Sequence, residues 1–181
     1  MQIKINRAPV LTLWAAIVAQ RLGFDRDVAL TLGRAVAGLT AYLKGKALGL
    51  FHPAPEEVKK KRLALRPKET IVIDLLGRAV PAVMTEDGIR ALSGNRPMDP
   101  RSVERYLQSK FGPALDEVTA AMRELAESLP PEELARRAFE LYEQFRPLVP
   151  PGVRGWGRAG VLDLDRIRDL ARRLQANPST R

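Results

Sequence analysis

The chain opens on two apolar segments with different patterns. From Val10 to Ala19 every position but Thr12 is apolar, and the run continues past Arg21 into Leu22 and Phe24. An unbroken apolar surface of that kind belongs to a helix buried on all sides. Pro9 suits the first turn of such a helix, where its missing N–H has no intrahelical partner to lose. Gly23 can end it, which predicts a helix over 8–22. Asp25 is a candidate N-cap for a second helix over 26–48. Along that segment Ala29, Gly33, Ala37, Ala41, Gly45 and Gly49 recur every four residues and so share one face. Ala15, Ala19 and Gly23 form a matching set on the first segment. Small side chains let two backbones approach closely, so the pair reads as an antiparallel helical hairpin. A helical Gly is less favourable than Ala by up to about 1 kcal/mol. Gly33, Gly38 and Gly45 therefore ask for a reason, either a close backbone contact or a groove for a ligand.

The pattern then changes three times. HPAPEEVKKKRLALRPK, 52–68, is polar and bracketed by Pro53, Pro55 and Pro67. It reads as a linker or arm. Ile71, Val72, Ile73, Leu75 and Leu76, then Gly77-Arg78, then Val80 to Met84 read as a β-hairpin, with Pro81 placing its second strand at an edge. A lone hairpin is marginal and must pack on helices. Residues 85–98 read as turns. Helical signals return afterwards. Asp99-Pro100 opens a helix to about Lys110, Gly112-Pro113 breaks it, and another runs over 114–128. Pro130-Pro131 precedes a third with Leu134, Ala138, Leu141 and Phe145 on one stripe. A last one starts at Asp163 or Asp165 and carries Ile167, Leu170, Ala171 and Leu174. The expected architecture is mostly α: an N-terminal helical hairpin (1–51), a basic linker or arm (52–68), and a short β-hairpin with a C-terminal helical bundle (69–181). The last unit can pack as one domain with the first.

Composition narrows the chemistry. At 181 residues the chain suits one domain, and its 45% hydrophobic content excludes wholesale disorder. Without Cys it has no disulfide, thiolate metal site or cysteine nucleophile, and one His excludes a multi-His centre. Lys4 and Arg7 ahead of the first apolar run mimic a short secretory signal. The run continues too far for a cleavage site, and it is shorter than the roughly 20 residues that span a bilayer. It reads as the core helix of a cytoplasmic protein with no membrane span. Arg greatly outnumbers Lys and Pro is frequent, a balance compatible with a thermophile or a GC-rich genome.

Charge is placed unevenly. The whole net charge of +9 lies in residues 1–68, and residues 69–181 balance to zero. Such asymmetry points to an anionic partner, nucleic acid or another polyanion, or else to a solvated linker. The candidate phosphate contacts are Lys59, Lys60, Lys61, Arg62, Arg66 and Lys68. A second candidate lies in PPGVRGWGRAG, 150–160, where Arg154 and Arg158 could fork onto phosphate or carboxylate and Trp156 could stack on a base. The plainer alternative is an ordered turn with Trp156 in the core. This segment has no GK[ST], so it is not a phosphate-binding loop of the Walker type.

Other features carry less. Residues 15–34 have the Ala19/Gly23 spacing of a helix-turn-helix. Its reader helix, however, would turn Asp25, Asp27 and Thr31 toward phosphates with only Arg26 and Arg34 as cations, so the plain hairpin is preferred. Asp163, Asp165 and Asp169 alternate as metal ligands can, but capping and pairing with Arg168, Arg172 or Arg173 explain them better. His52 has no evident partner.

The strings INRAPVLTLWAA, RYLQSKFG and RGWG resemble those of a small family of uncharacterised bacterial proteins. The resemblance implies a bacterial, cytoplasmic, stand-alone protein and carries no activity or site residue. The expectation is a nucleic-acid-binding protein with no catalytic residue, metal or cofactor assigned. The alternative is a protein–protein or homo-oligomeric module that uses the Ala/Gly stripe as its interface. A third reading is an enzyme whose pocket gathers polar groups near Trp156.

Overall fold

The computed structural model describes residues 1–49, 55–64, 67–152 and 158–177. Among them the order is β1 (Gln2–Ile5), α1 (Arg7–Arg21), α2 (Arg26–Ala47), α3 (Glu56–Ala64), β2 (Ile71–Leu75), β3 (Arg78–Thr85), β4 (Gly88–Ser93), β5 (Arg96–Pro97), α4 (Pro100–Phe111), α5 (Leu115–Glu127), α6 (Pro131–Phe145), β6 (Gly160–Asp163) and α7 (Leu164–Ala176). The protein is mostly helical, with two small antiparallel sheets. No helix of the described residues is long and apolar enough to cross a membrane.

α1 is buried without a break from Pro9 to Ala19, as its continuous apolar sequence requires. α2, α4, α5 and α6 all pack on it, and α7 lies on α5. The C-terminal helices therefore gather round α1, and one buried apolar cluster runs from Ile5 to Ala171. Trp14 fastens α6 to this centre. Its indole N–H donates to the Ala138 carbonyl at 2.8 Å, and its ring meets Phe145 edge-on at 5.3 Å. Asp25 caps α2 by accepting from the Val28 N–H at 3.0 Å.

Within the α2 stripe, Ala29, Gly33, Ala37 and Gly45 are buried. A Cβ placed on Gly33 would stand 2.5 Å from the Thr12 carbonyl oxygen and 2.9 Å from the Ala16 nitrogen. Here α2 touches the backbone of α1, so a close backbone contact is the reason for this glycine. Gly38 has no such reason, because a Cβ there meets nothing within 4 Å.

The sheets depart most from expectation. The stretch read as a linker contains α3. Pro55 stands just ahead of it, and its carbonyl accepts from the Val58 and Lys59 N–H groups at the helix start. Glu56 and Glu57 then occupy the first turn, where the helix dipole favours acids. The expected hairpin is the first half of a four-stranded meander, β2-β3-β4-β5. Residues 85–98 are not all turn: Glu86-Asp87 links β3 to β4, and Gly88–Ser93 is a strand. β3 is thus a central strand despite Pro81. The ladder with β4 runs only from Ala82 to Thr85, so Pro81 pairs with Val72 on β2 and lies just beyond the β4 ladder.

Leu76 and Gly77 turn β2 into β3 with φ of 49° and 72°, both in the left-handed region. That conformation costs a leucine about 1–2 kcal/mol. Leu76 is 3% exposed, and burying such a side chain offsets the cost with about 1.5–3 kcal/mol. The inner face of the sheet rests on α2. Thr31, on that helix, donates to the Val28 carbonyl at 2.9 Å and accepts from the Ala91 N–H of β4 at 3.1 Å. The second sheet pairs β1 with β6, Ile5 opposite Gly160. Leu148 bridges Val161 on the other side of β6. Gly160 is required there, since a Cβ would lie 2.8 Å from the Leu148 carbonyl oxygen.

Candidate anion-binding cleft

α2 has 22 residues and α1 has 15. At 1.5 Å per residue the longer helix exceeds the shorter by about 10 Å. The two run antiparallel with Gly33 against Thr12 and Ala16, so the C-terminal part of α2 overhangs the start of α1. Under that overhang lies a cleft of about 540 Å³. This is the size of small-molecule sites. Its apolar walls include Leu11 of α1, Ala37 and Ala41 of α2, Leu48, Phe139 of α6 and Val149. The stripe of small residues therefore has two uses. Gly33 lets the helices meet, while Ala37 and Ala41 keep the groove beside them open.

Four cations line the same cleft: Arg7, Lys44, Arg146 and Arg158. The fold brings them together from four places. β1–β6 pairing sets Ile5 opposite Gly160, which draws the start of α1 toward the approach to β6. The Leu148–Val161 bridge draws in the segment that follows α6. The Arg7 Nε donates to the Pro147 carbonyl at 3.1 Å and ties the first strand of this arrangement to the third. No carboxylate lines the cleft among the described residues.

The electrostatics follow from that imbalance. Burial, then the neighbouring Arg146, lowers the Arg7 guanidinium from its ordinary value. Desolvation, then Arg7 and Arg146, lowers the Lys44 ammonium likewise. Burial pushes the Tyr142 phenol up to about 12, although Arg7 and Arg146 pull the other way. Tyr142 therefore faces the cleft as a neutral hydroxyl. Thr40, also on the wall, accepts from the Arg78 Nε at 3.0 Å, and that guanidinium lies over the Phe139 ring at 5.2 Å. One more positive charge thus stands behind the wall. With guanidinium, ammonium, phenol and hydroxyl groups over an apolar floor, the described lining can hold an anion by charge and hydrogen bonds.

Of the expected contacts among the described residues, Arg158 is the one that lines the cleft. Lys60, Lys61 and Lys68 are exposed elsewhere, and Lys59 lies 3.8 Å from Glu56. Arg66, Arg154, Trp156, His52 and the Arg62 side chain lie outside the described residues. Arg7, Lys44, Arg146 and Tyr142 were missed. A signal existed for Arg7: a cation in a first helical turn opposes the helix dipole, and α1 has no acid there.

The helix-turn-helix reading fails. Thr31 is fully buried against β4, Arg26 pairs with Glu104 at 2.9 Å, and Arg34 lies over the Tyr106 ring at 4.6 Å. From Val28 onward the first half of α2 packs against the rest of the molecule, while Asp25, Arg26 and Asp27 at its start are exposed. Asp163 caps α7, and Asp169 pairs with Arg172 at 2.6 Å. Comparison with known proteins finds no family model, no curated protein and no solved structure that matches the chain.

Proposed function

We propose that the protein binds a small anionic ligand in the cleft between α1, α2 and α6. One observation carries this reading: four cationic side chains converge on an apolar cavity whose described lining holds no acid. Like charges are not gathered at one place without cost, and an anion that offsets the cost binds the folded state alone. The test is a thermal-shift screen of the full chain with phosphate, pyrophosphate, citrate and aliphatic carboxylates at constant ionic strength. A ligand at a hundred times its Kd stabilises by about 2.7 kcal/mol. For a chain of this size that raises Tm by roughly 5–10 °C. Arg7→Gln with Arg146→Gln should abolish the shift. Equal shifts in the double variant and the wild type would remove the reading.

A second reading is favoured by a different surface. Lys60, Lys61 and Lys68 are exposed and, among the described residues, form no ion pair. With Lys59 they offer a nucleic-acid backbone a set of phosphate contacts. Anisotropy of labelled DNA and RNA at about 50 and 200 mM salt tests it, because four phosphate contacts weaken binding by roughly 150-fold over that range. Lys59→Ala, Lys60→Ala and Lys61→Ala together should flatten the salt slope by about three. An unchanged slope would remove α3 from the contact.

A further inference from the structure

The cleft has two chemistries, and a compact polyanion would use only one of them. Arg7, Lys44, Arg146 and Arg158 supply positive charge; Leu11, Ala37, Ala41, Leu48, Phe139 and Val149 supply apolar wall. Phosphate or citrate would answer the cations and leave the wall against water. The wall is also elongated. Ala37, Ala41 and Leu48 follow α2, and eleven residues of helix extend about 16 Å. Ala37 and Ala41 are small and one helical turn apart, so they form a trough along the helix. Lys44 stands within the same stretch, between Ala41 and Leu48. A trough floored by alanine and flanked by leucine and valine fits a flexible chain better than a broad polar body.

Resting on the reading of the cleft as an anion site, we infer that its ligand is an amphipathic anion, an unbranched aliphatic chain with one carboxylate or phosphate head. The head meets the guanidinium and ammonium groups, and the chain lies in the trough over Ala37 and Ala41. Arg7 is positioned for the head by its bond to the Pro147 carbonyl. Tyr142, a neutral phenol on the cleft wall, can donate its hydroxyl to the same anion.

Calorimetric titration of the full chain with hexanoate, octanoate and decanoate at fixed pH and ionic strength tests the inference. Each buried methylene should tighten binding about four-fold, so decanoate should bind roughly 200-fold tighter than hexanoate. Decanol should bind far more weakly than decanoate, and decyl phosphate compared with decanoate assigns the head. Ala41→Phe fills the trough at a half-buried position and should weaken decanoate far more than inorganic phosphate. Arg146→Gln should weaken both, by about ten-fold or more. Circular dichroism of each variant establishes that it is folded.

Anion binding with no dependence on chain length would overturn the amphipathic ligand and leave the anion site standing. Decanol binding as well as decanoate, or no binding by any anion, would overturn both.

Discussion

Replacing Gly33 by Ala should destabilise the protein, although alanine is the better helix former. The added Cβ would stand 2.5 Å from the Thr12 carbonyl oxygen and 2.9 Å from the Ala16 nitrogen. Carbon and oxygen rest at about 3.3 Å or more even in the closest favourable contacts. The helices must therefore part by roughly 0.8 Å, because both atoms are backbone and cannot rotate away. Overpacking of this kind costs about 1–3 kcal/mol, and a rigid backbone contact lies at the upper end. Separation of that size also forfeits a quarter to a half of the dispersion well for each facing atom pair. Against this, the helix gains about 1 kcal/mol from alanine. The balance is a loss of about 2–3 kcal/mol, or roughly 4–12 °C in Tm for a chain of this length. Gly38→Ala is the internal control, since its Cβ meets nothing within 4 Å. It should gain about 1 kcal/mol and raise Tm by roughly 2–4 °C. Urea unfolding followed by circular dichroism measures both. If Gly33→Ala were as stable as Gly38→Ala, the close approach of α1 and α2 would not be the reason for the glycine.

Two further perturbations probe the sheet and the cleft wall. Thr31→Val keeps the shape but leaves the buried Ala91 N–H without its partner, which should cost about 1–3 kcal/mol. Thr31→Ser should recover most of that, and equal stability of the Val and Ser variants would show that the bond does not hold β4. At alkaline pH the sign is set by Tyr142, whose folded value is raised from 10 to about 12. The folded state keeps its proton where the unfolded chain loses it, so stability present below pH 10 is lost as pH rises to 12. Two units amount to about 2.7 kcal/mol. Tyr142→Phe should remove most of that loss, leaving the smaller loss from Tyr106, whose phenol burial also raises, against the opposite trend of Lys44, whose lowered value makes stability rise with pH below about 10.5. Denaturant titrations at successive pH values would contradict the assignment if wild type and Tyr142→Phe fell in parallel.

The helices other than α3, which was read as a linker, were legible because their signals are local. Asp25, Asp99 and the proline pairs mark ends, and the apolar run of α1 states its own burial. Glycine was legible only in part. The same spacing rule selected Gly33 and passed over the contrast with Gly38, since exposure on a helix depends on what packs beside it. The second sheet was not legible, because β1 and β6 pair from opposite ends of the chain and neither is long enough to announce itself. β4 was hidden between the turn signals TEDG and SGNR, and Pro81 misdirected the reading of β3. The cleft had the weakest signature of all. Net charge drew attention to 59–68, where the basic residues are contiguous. Arg7, Lys44, Arg146 and Arg158 are scattered along the sequence and meet through the α1–α2 packing, the β1–β6 pairing and the Leu148 bridge.

That convergence sets stability against binding, and Arg146 is where the conflict can be measured. Arg146 opposes the charge of both Arg7 and Lys44. Local rules of charge placement are broken chiefly at sites that do something other than fold. Arg146→Gln keeps most of the aliphatic stem while it removes the repulsion. The free protein should become more stable by about 0.5–1 kcal/mol, the scale of charge interactions at a half-exposed position. Added salt should shrink that gain, since it screens the repulsion in the wild type and has nothing to screen in the variant. The same substitution should weaken anion binding, so stability and affinity move in opposite directions. A destabilised Arg146→Gln would mean that the arginine serves packing, and the cations of the cleft would then need no ligand to explain them.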